Sequence, residues 1–242
     1  MPGELFYPAS TNPFAQANTE RDSLFTFLES IDQETFTRAF SRLSDRSYTR
    51  YTRTEQFDEE DYLIAFEERV LRHGEGKVDL VEHDSAGTFD YGYFSRFVSE
   101  TGDTYDPTDL ARHIVPDDPA YMSARNREAY VYRSLSDTLM WDMVARVIEV
   151  RARPEEGDGQ NIRRVRLYIE RGSNKLIAMY VERIDLALWF REESRFYVHV
   201  RPTSAGEWVP YNTRFETLIR VPFRSAQRFR TVSTYFSFAE RS

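Results

Sequence analysis

From Ala129 to Phe238 the sequence is a series of runs with a two-residue period, broken only by short turns. AYVYRSL leads into WDMVARVIEVRARP, and PEEGDGQN then separates it from IRRVRLYIE. After RGSN come KLIAMYVERIDLALWF, RFYVHV, WVPYNTRFETLIRVPF and FRTVSTYFSF. Five or six consecutive strands joined this tightly predict an antiparallel meander, because parallel pairs need long crossover connections. A Rossmann or flavodoxin-like core is therefore excluded. In the second run Val144, Ile148 and Val150 oppose Val147, Glu149 and Arg151. In IRRVRLYIE, Val165, Leu167 and Ile169 share one parity, and Arg164, Arg166 and Tyr168 share the other. Antiparallel sheets commonly bury one face and wet the other. Arg164 and Arg166 are thus expected on a solvated outer face, ion-paired to acids of neighbouring strands. A bulge is expected near Arg183–Asp185.

The N-terminal half has a different rhythm. Residues 1–18 read as a loose arm. Leu24, Phe25, Phe27 and Leu28 form an apolar stripe, Asp32 has the place of a helix cap, and Phe36, Ala39, Phe40 and Leu43 repeat at helical spacing. This predicts one bent helix or two short ones. At Tyr48 the period changes to two in YTRYTRTEQF, and DYLIAFEERVL continues with Tyr62, Ile64 and Phe66 on one face. The glutamates of that run fit a helix equally well. KVDLVEHD follows a His-Gly-Glu-Gly turn as a shorter strand. Residues 85–128 are the least regular, with an aromatic cluster at Phe89–Phe97 and with Pro107, Pro116 and Pro119 forbidding a long helix. They are expected to form loops with a short helix at Tyr121–Asn126, lying across the mouth of a sheet. The expected fold class is α+β: a strongly curved antiparallel sheet, an unclosed barrel, wrapped over N-terminal helices. A single domain over 19–242 carries the insertion at about 85–128.

Charge and chemistry narrow the function classes. A net charge of -8 opposes general nucleic-acid binding, which needs a basic footprint. With no cysteine there is no disulfide, iron–sulfur cluster or thiol nucleophile. The opening MPGELFYPASTNPFAQ has neither signal-peptide nor membrane-span character, and no transmembrane segment is expected in this chain. It reads as the start of a mature exported chain whose leader has been removed, in the periplasm or at the outer membrane. His73, His83, His113 and His199 form no compact ligand pattern, so no metal is expected. Asp58–Asp61, Asp117-Asp118 and Glu192-Glu193 are adjacent carboxylates rather than a pair facing across a cleft. Asp79 and Glu82 are the strand carboxylates placed to enter a pocket. No G-x-S-x-G elbow or phosphate-cradling loop occurs. No catalytic residue and no cofactor is assigned, and the chain is read as not an enzyme.

Aromatics are the positive signal, with 15 Tyr and 18 Phe. Phe66, Phe89, Tyr91, Phe94, Tyr132, Trp141, Trp189, Phe196, Phe215 and Tyr235 are the candidates for lining an apolar, ligand-binding cavity; Phe190 and Phe236 join the wider set. Ordinary core packing is the competing explanation, and the two differ in whether the curved sheet leaves room over the helices.

Tyr130–Phe238 resembles the lipoprotein-carrier superfamily, which includes periplasmic lipoprotein carriers, outer-membrane lipoprotein receptors and lipid-sensing envelope-stress regulators. The matching features are a strand ending in Glu149-Val150, the Pro/Gly-rich turn Pro154–Gly159, the hairpin RRVRLYIERGSNKLIAMYVER, and WVPYNTRFE at Trp208–Glu216. The resemblance implies an unclosed antiparallel barrel over helices, an apolar cavity for acyl chains, and no catalytic residues. Its implied partners are a lipid or acylated protein and an envelope protein. The aromatic segment at 89–128 departs from a minimal carrier. A structural or protein-interaction module of the envelope with a filled core is the alternative, and a hydrolase comes third.

Overall fold

The structure, a computed structural model, describes residues 13–74, 76–90, 119–187 and 190–239. Helix α1 spans Pro13–Glu29 and α2 spans Glu34–Ser41. Three strands follow, β1 (Tyr48–Phe57), β2 (Leu63–Gly74) and β3 (Lys77–Ala86). The second series is β4 (Tyr130–Met140), β5 (Met143–Ala152), β6 (Ile162–Glu170), β7 (Leu176–Ala187), β8 (Phe190–Pro202), β9 (Trp208–Arg220) and β10 (Gln227–Phe236). All ten form one antiparallel sheet in the order β3-β2-β1-β10-β9-β8-β7-β6-β5-β4. The expected meander is present as β4 to β10. The first strand then pairs with the last, so β3 and β4 are the two edges of an unclosed sheet.

Helix α1 begins at Pro13, inside the expected arm, and two helices form rather than one bent helix. Asp32 caps the second: its carboxylate accepts from the Thr35 amide at 3.0 Å and from the Thr35 hydroxyl at 2.6 Å. The backbone of Asp32 also bridges the RGSN turn, donating to Asn174 O at 3.1 Å and accepting from Leu176 N at 3.1 Å. The turn between β6 and β7 therefore anchors the link between the helices. The short helix expected at Tyr121–Asn126 is a turn followed by a 3-10 helix at Ala124–Ala129. No helix among the described residues is long and apolar enough to cross a membrane.

The helical stripe expected from the sequence packs on the inner face of the sheet. Leu24, Phe25, Leu28, Ile31, Phe36, Phe40 and Leu43 pack in one cluster with Tyr130, Tyr132, Ile148, Val150, Val165, Leu167, Ile169, Met179, Val181, Val198 and Val200. Those strand residues mark the inner parity of each strand. Register carries the same parity onto β1, whose Tyr48 and Arg50 lie beside β10, Arg50 opposite Tyr235.

The outer face departs from the expected wet surface. Glu149 is 2% exposed there and is held by Arg151 at 2.6 Å, Arg164 at 2.7 Å and Arg166 at 2.8 Å. Arg164 is itself four-fifths buried. Val147 and Ala145, on the same parity, are also buried. Arginine stems cover the sheet here, and one carboxylate accepts from three guanidiniums, of which Arg164 also meets Glu182. The register extends this into a ladder of alternating sign across six neighbouring strands: Arg164, Glu182, Arg195, Glu216, Arg230 and Glu55 stand directly opposite one another in turn. A slip of one residue in any of these strands would break the alternation, so the ladder specifies register as well as solubility. The irregularity expected near Arg183–Asp185 falls on the facing strand, where the pairing shifts between Ile162 and Arg164.

Candidate ligand-binding face

Beyond the helices the inner face changes character. On β1 the inward parity reads Arg50, Thr52, Thr54, Gln56; on β10 it reads Phe229, Thr231, Ser233, Tyr235. On β9 it reads Thr213, Phe215, Thr217, Ile219, and on β8 Ser194, Phe196, Val198. Hydroxyls meet across the strands, Thr52 with Ser233 at 3.0 Å, Thr54 with Thr231 at 3.2 Å and Ser194 with Thr217 at 3.4 Å. Between these rows Phe196 and Phe215 stack with ring centroids 4.8 Å apart, both half-buried. Mutually satisfied hydroxyls present methyl and methylene surface, so the patch is apolar in effect while its polar atoms remain paired.

The chain reaches this face from the β3 edge. At Gly87 it turns with φ +78°, and a Cβ there would lie 2.1 Å from Ile64 O, so no other residue fits without moving β2. Three residues on, the Gln56 side chain grips the Asp90 backbone both ways, accepting from its N–H at 2.7 Å and donating to its carbonyl at 3.0 Å. Gln227 donates to the same carbonyl at 2.9 Å. Two inward glutamines, one of them 2% exposed, thus substitute for strand pairing at the margin of the patch.

At the boundary with the helix-packed core stand Arg50, 5% exposed, and Tyr235, 2% exposed. Tyr48 stacks on His73 with centroids 4.4 Å apart. Burial first, and the Arg50 charge second, push the His73 imidazole down to about 4. His199, on the outer face, is likewise pushed down to about 4 by burial and then by Arg201. Both rings stay neutral in the folded protein while an unfolded chain protonates them below its ordinary value of 6.5. The folded state is therefore fully favoured above pH 6.5 and loses stability as pH falls from there toward 4. Urea midpoints are expected to drop across that window, and the drop is expected to shrink in His199→Phe. A midpoint unchanged between pH 7 and 5 would contradict the buried, neutral placement of both rings.

The outer face carries two further features. A cavity of about 320 Å³ is lined by Phe57, Asp61, Glu193, Arg195, Glu216, Thr217, Leu218, Arg228 and Arg230. Six of these nine residues are charged, which suits an apolar ligand poorly. At the tip of the β4–β5 hairpin Trp141 sits at φ +61°, in a place that such turns usually give to glycine. Its indole N–H donates to His199 Nδ1 at 3.2 Å, and its ring meets Tyr211 edge-on at 4.6 Å. Arg201 lies 4.0 Å over the Tyr211 ring. These contacts offset the backbone strain. Among the described residues no cluster of His, Cys, Asp or Glu has metal-binding geometry. Asp79 and Glu82 lie on the exposed edge strand β3 and enter no pocket.

Of the aromatics singled out from the sequence, Phe196 and Phe215 stack on the inner face, and Tyr235 lies on the same face in the core cluster beside Tyr48. Tyr132 is under the helices, edge-on to Phe25 at 5.9 Å, its hydroxyl donating to Tyr121 O at 2.8 Å. Phe66 is on the outer face beneath the Arg53 guanidinium at 4.7 Å, and Trp141 is 53% exposed. Phe89 is half-buried beside the Asp90 clamp. Tyr91, Phe94 and Trp189 lie outside the described residues. The sequence did not single out Arg50, Gln56 or the hydroxyl rows; the parity of YTRYTRTEQF was the available signal.

No family model matches the chain, and no curated protein matches it. Among solved structures it is similar to a DUF1329 family protein from Desulfovibrio piger, at 9% identity and TM-score 0.29, over 94% of this chain and 93% of that one. A LolA superfamily protein from Nitrosomonas europaea aligns at 9% identity and TM-score 0.28, over 88% of this chain and 95% of that one. An outer membrane lipoprotein-sorting protein domain from Vibrio parahaemolyticus aligns at 8% identity and TM-score 0.29, covering 85% and 90%. Scores this low leave the fold assignment resting on the strand pairing itself: an unclosed antiparallel sheet over N-terminal helices.

Proposed function

We propose that this chain binds an apolar ligand, a lipid or the acyl part of a lipoprotein, on the inner face of its sheet and without catalysis. The supporting observation is the stacked, half-buried pair Phe196–Phe215, set among paired hydroxyls on the inner face at the margin of the helix-covered core. Each acyl methylene laid against such a surface contributes roughly 0.8 kcal/mol, so a long chain needs no charged recognition to be held. An envelope location and an acylated or envelope protein partner belong to the same proposal, as does a covering role for the 89–128 segment, whose Asp90 is gripped by Gln56 and Gln227.

Uptake of a fluorescent fatty acid, read together with native mass spectrometry, tests this. The wild type is expected to take up the probe, and Phe196→Asp combined with Phe215→Asp to weaken uptake by about tenfold or more, since a charge is placed where apolar contact is needed. Equal uptake by wild type and double variant would overturn the assignment of this face. An envelope interaction module with a filled core is supported by the wholly buried Phe36 and Phe40 under the sheet. Absence of any uptake by the wild type would favour it.

A further inference from the structure

Among the described residues Arg50 is a buried cation without a counter-ion. Only 5% of the residue is exposed, and its Nε is buried with no hydrogen-bond partner. No carboxylate among the described residues forms an ion pair with it, whereas the other buried charged groups of the sheet are paired: Glu149 with Arg151, Arg164 and Arg166, and Glu55 with Arg53 and Arg230. Its neighbours on the inner face are neutral. Tyr235, opposite it on β10, accepts a side-chain hydrogen bond from the guanidinium, which leaves Nε unmet, and Leu71 stands opposite it on β2. Thr52 and Ser233, joined at 3.0 Å, form the next inward row. His73 lies on the same side, and its Nε2 is also buried without a partner.

A guanidinium remains charged at any accessible pH, so the usual escape of a buried ionisable group, neutralisation, is closed to it. An isolated buried charge is costly unless an opposite charge or several acceptors meet it. An unmet guanidinium N–H, an unpartnered imidazole nitrogen and a row of hydroxyls next to an apolar pair are the complement of an oxyanion with a tail.

We propose that Arg50 anchors the anionic head of the ligand, a carboxylate or phosphate monoester, while its acyl chain lies over Phe196 and Phe215. This deepens the binding role proposed above and rests on it. The ligand class is a single-headed anionic amphiphile. Neutral esters and alcohols of equal chain length lack the group that Arg50 would meet.

The experiment compares a fluorescent fatty acid with its methyl ester on the full chain, at a pH where the acid is ionised. The acid is expected to bind about tenfold or more tightly than the ester, the range for a hydrogen bond to a charged group. In Arg50→Gln the acid is expected to fall to the affinity of the ester, and the ester to stay within about twofold, since its apolar contacts are unchanged. Arg50→Lys is expected to restore part of the preference. Competition by lysophosphatidic acid separates the two heads: stronger displacement than by unlabelled fatty acid assigns a phosphate, weaker displacement a carboxylate. Equal binding of acid and ester by the wild type would overturn the anchor and leave the binding face standing. Uptake of neither would overturn the binding role itself. An acid preference that survives Arg50→Gln would place the anchor elsewhere. The acid–ester comparison on the wild type needs no variant to fold.

Discussion

Glu149→Gln is expected to lower stability at neutral pH by about 3 kcal/mol, and the loss is expected to vanish in strong acid. Glu149 is buried, which raises the pKa of a carboxyl, but hydrogen bonds from Arg166, Arg151 and Arg164 outweigh this and hold it at about 2. Its ordinary value is 4.5. Because the folded value is the lower one, the carboxylate stabilises fully above pH 4.5, and that contribution disappears as pH falls toward 2. Glutamine keeps the shape but leaves three guanidiniums facing a neutral group. Urea titrations of wild type and variant from pH 7 to 2 should give curves that converge on acidification. A constant gap over that range would mean that packing, and not the arginine clamp, accounts for the difference. The histidine-linked loss lies higher, between pH 6.5 and 4, so the two contributions separate along the acid limb.

Phe40→Ala should remove about 3–5 kcal/mol, the cost of deleting a wholly buried aromatic ring and leaving a partly collapsed void. Phe40 has no exposed surface and lies 5.7 Å from the Phe36 ring in the cluster between α2 and the sheet. Phe223, fully exposed in the β9–β10 turn, is the matched control, and Phe223→Ala should change stability by about 0.5 kcal/mol or less. Equilibrium unfolding of the two variants measures the contrast. A cost near that of the control would mean that the helices pack loosely and that the apolar space extends beneath them.

The parts of the fold legible in the sequence are those set by local periodicity. Val165, Leu167 and Ile169 announce their face because every second residue from Val165 to Ile169 is aliphatic and those between are Arg166 and Tyr168, and Leu24, Leu28, Phe36 and Phe40 announce theirs at helical spacing. YTRYTRTEQF does not, since neither of its parities is apolar: Tyr, Arg, Thr, Thr, Gln on one side and Thr, Tyr, Arg, Glu, Phe on the other. Which parity turns inward depends on β10, a partner at the other end of the chain. For the same reason the aromatics were a mixed guide. Phe196 and Phe215 meet across β8 and β9, Phe66 ends under Arg53 on the opposite face, and Tyr132 is committed to the helices.

By itself, then, the sequence determined an antiparallel meander, a helical apolar stripe to cover it and a cap at Asp32, because each of these depends on neighbours within a few positions along the chain. Tertiary structure alone decided that the first strand joins the last, that six charges of alternating sign fall into one row, and that Arg50 turns inward among neutral groups. Those outcomes depend on pairing between residues up to the full length of the sheet apart in sequence. An arginine reads the same in a string of letters whether water, a carboxylate or an empty partner position awaits it; only the register of the closed-up strands assigns which.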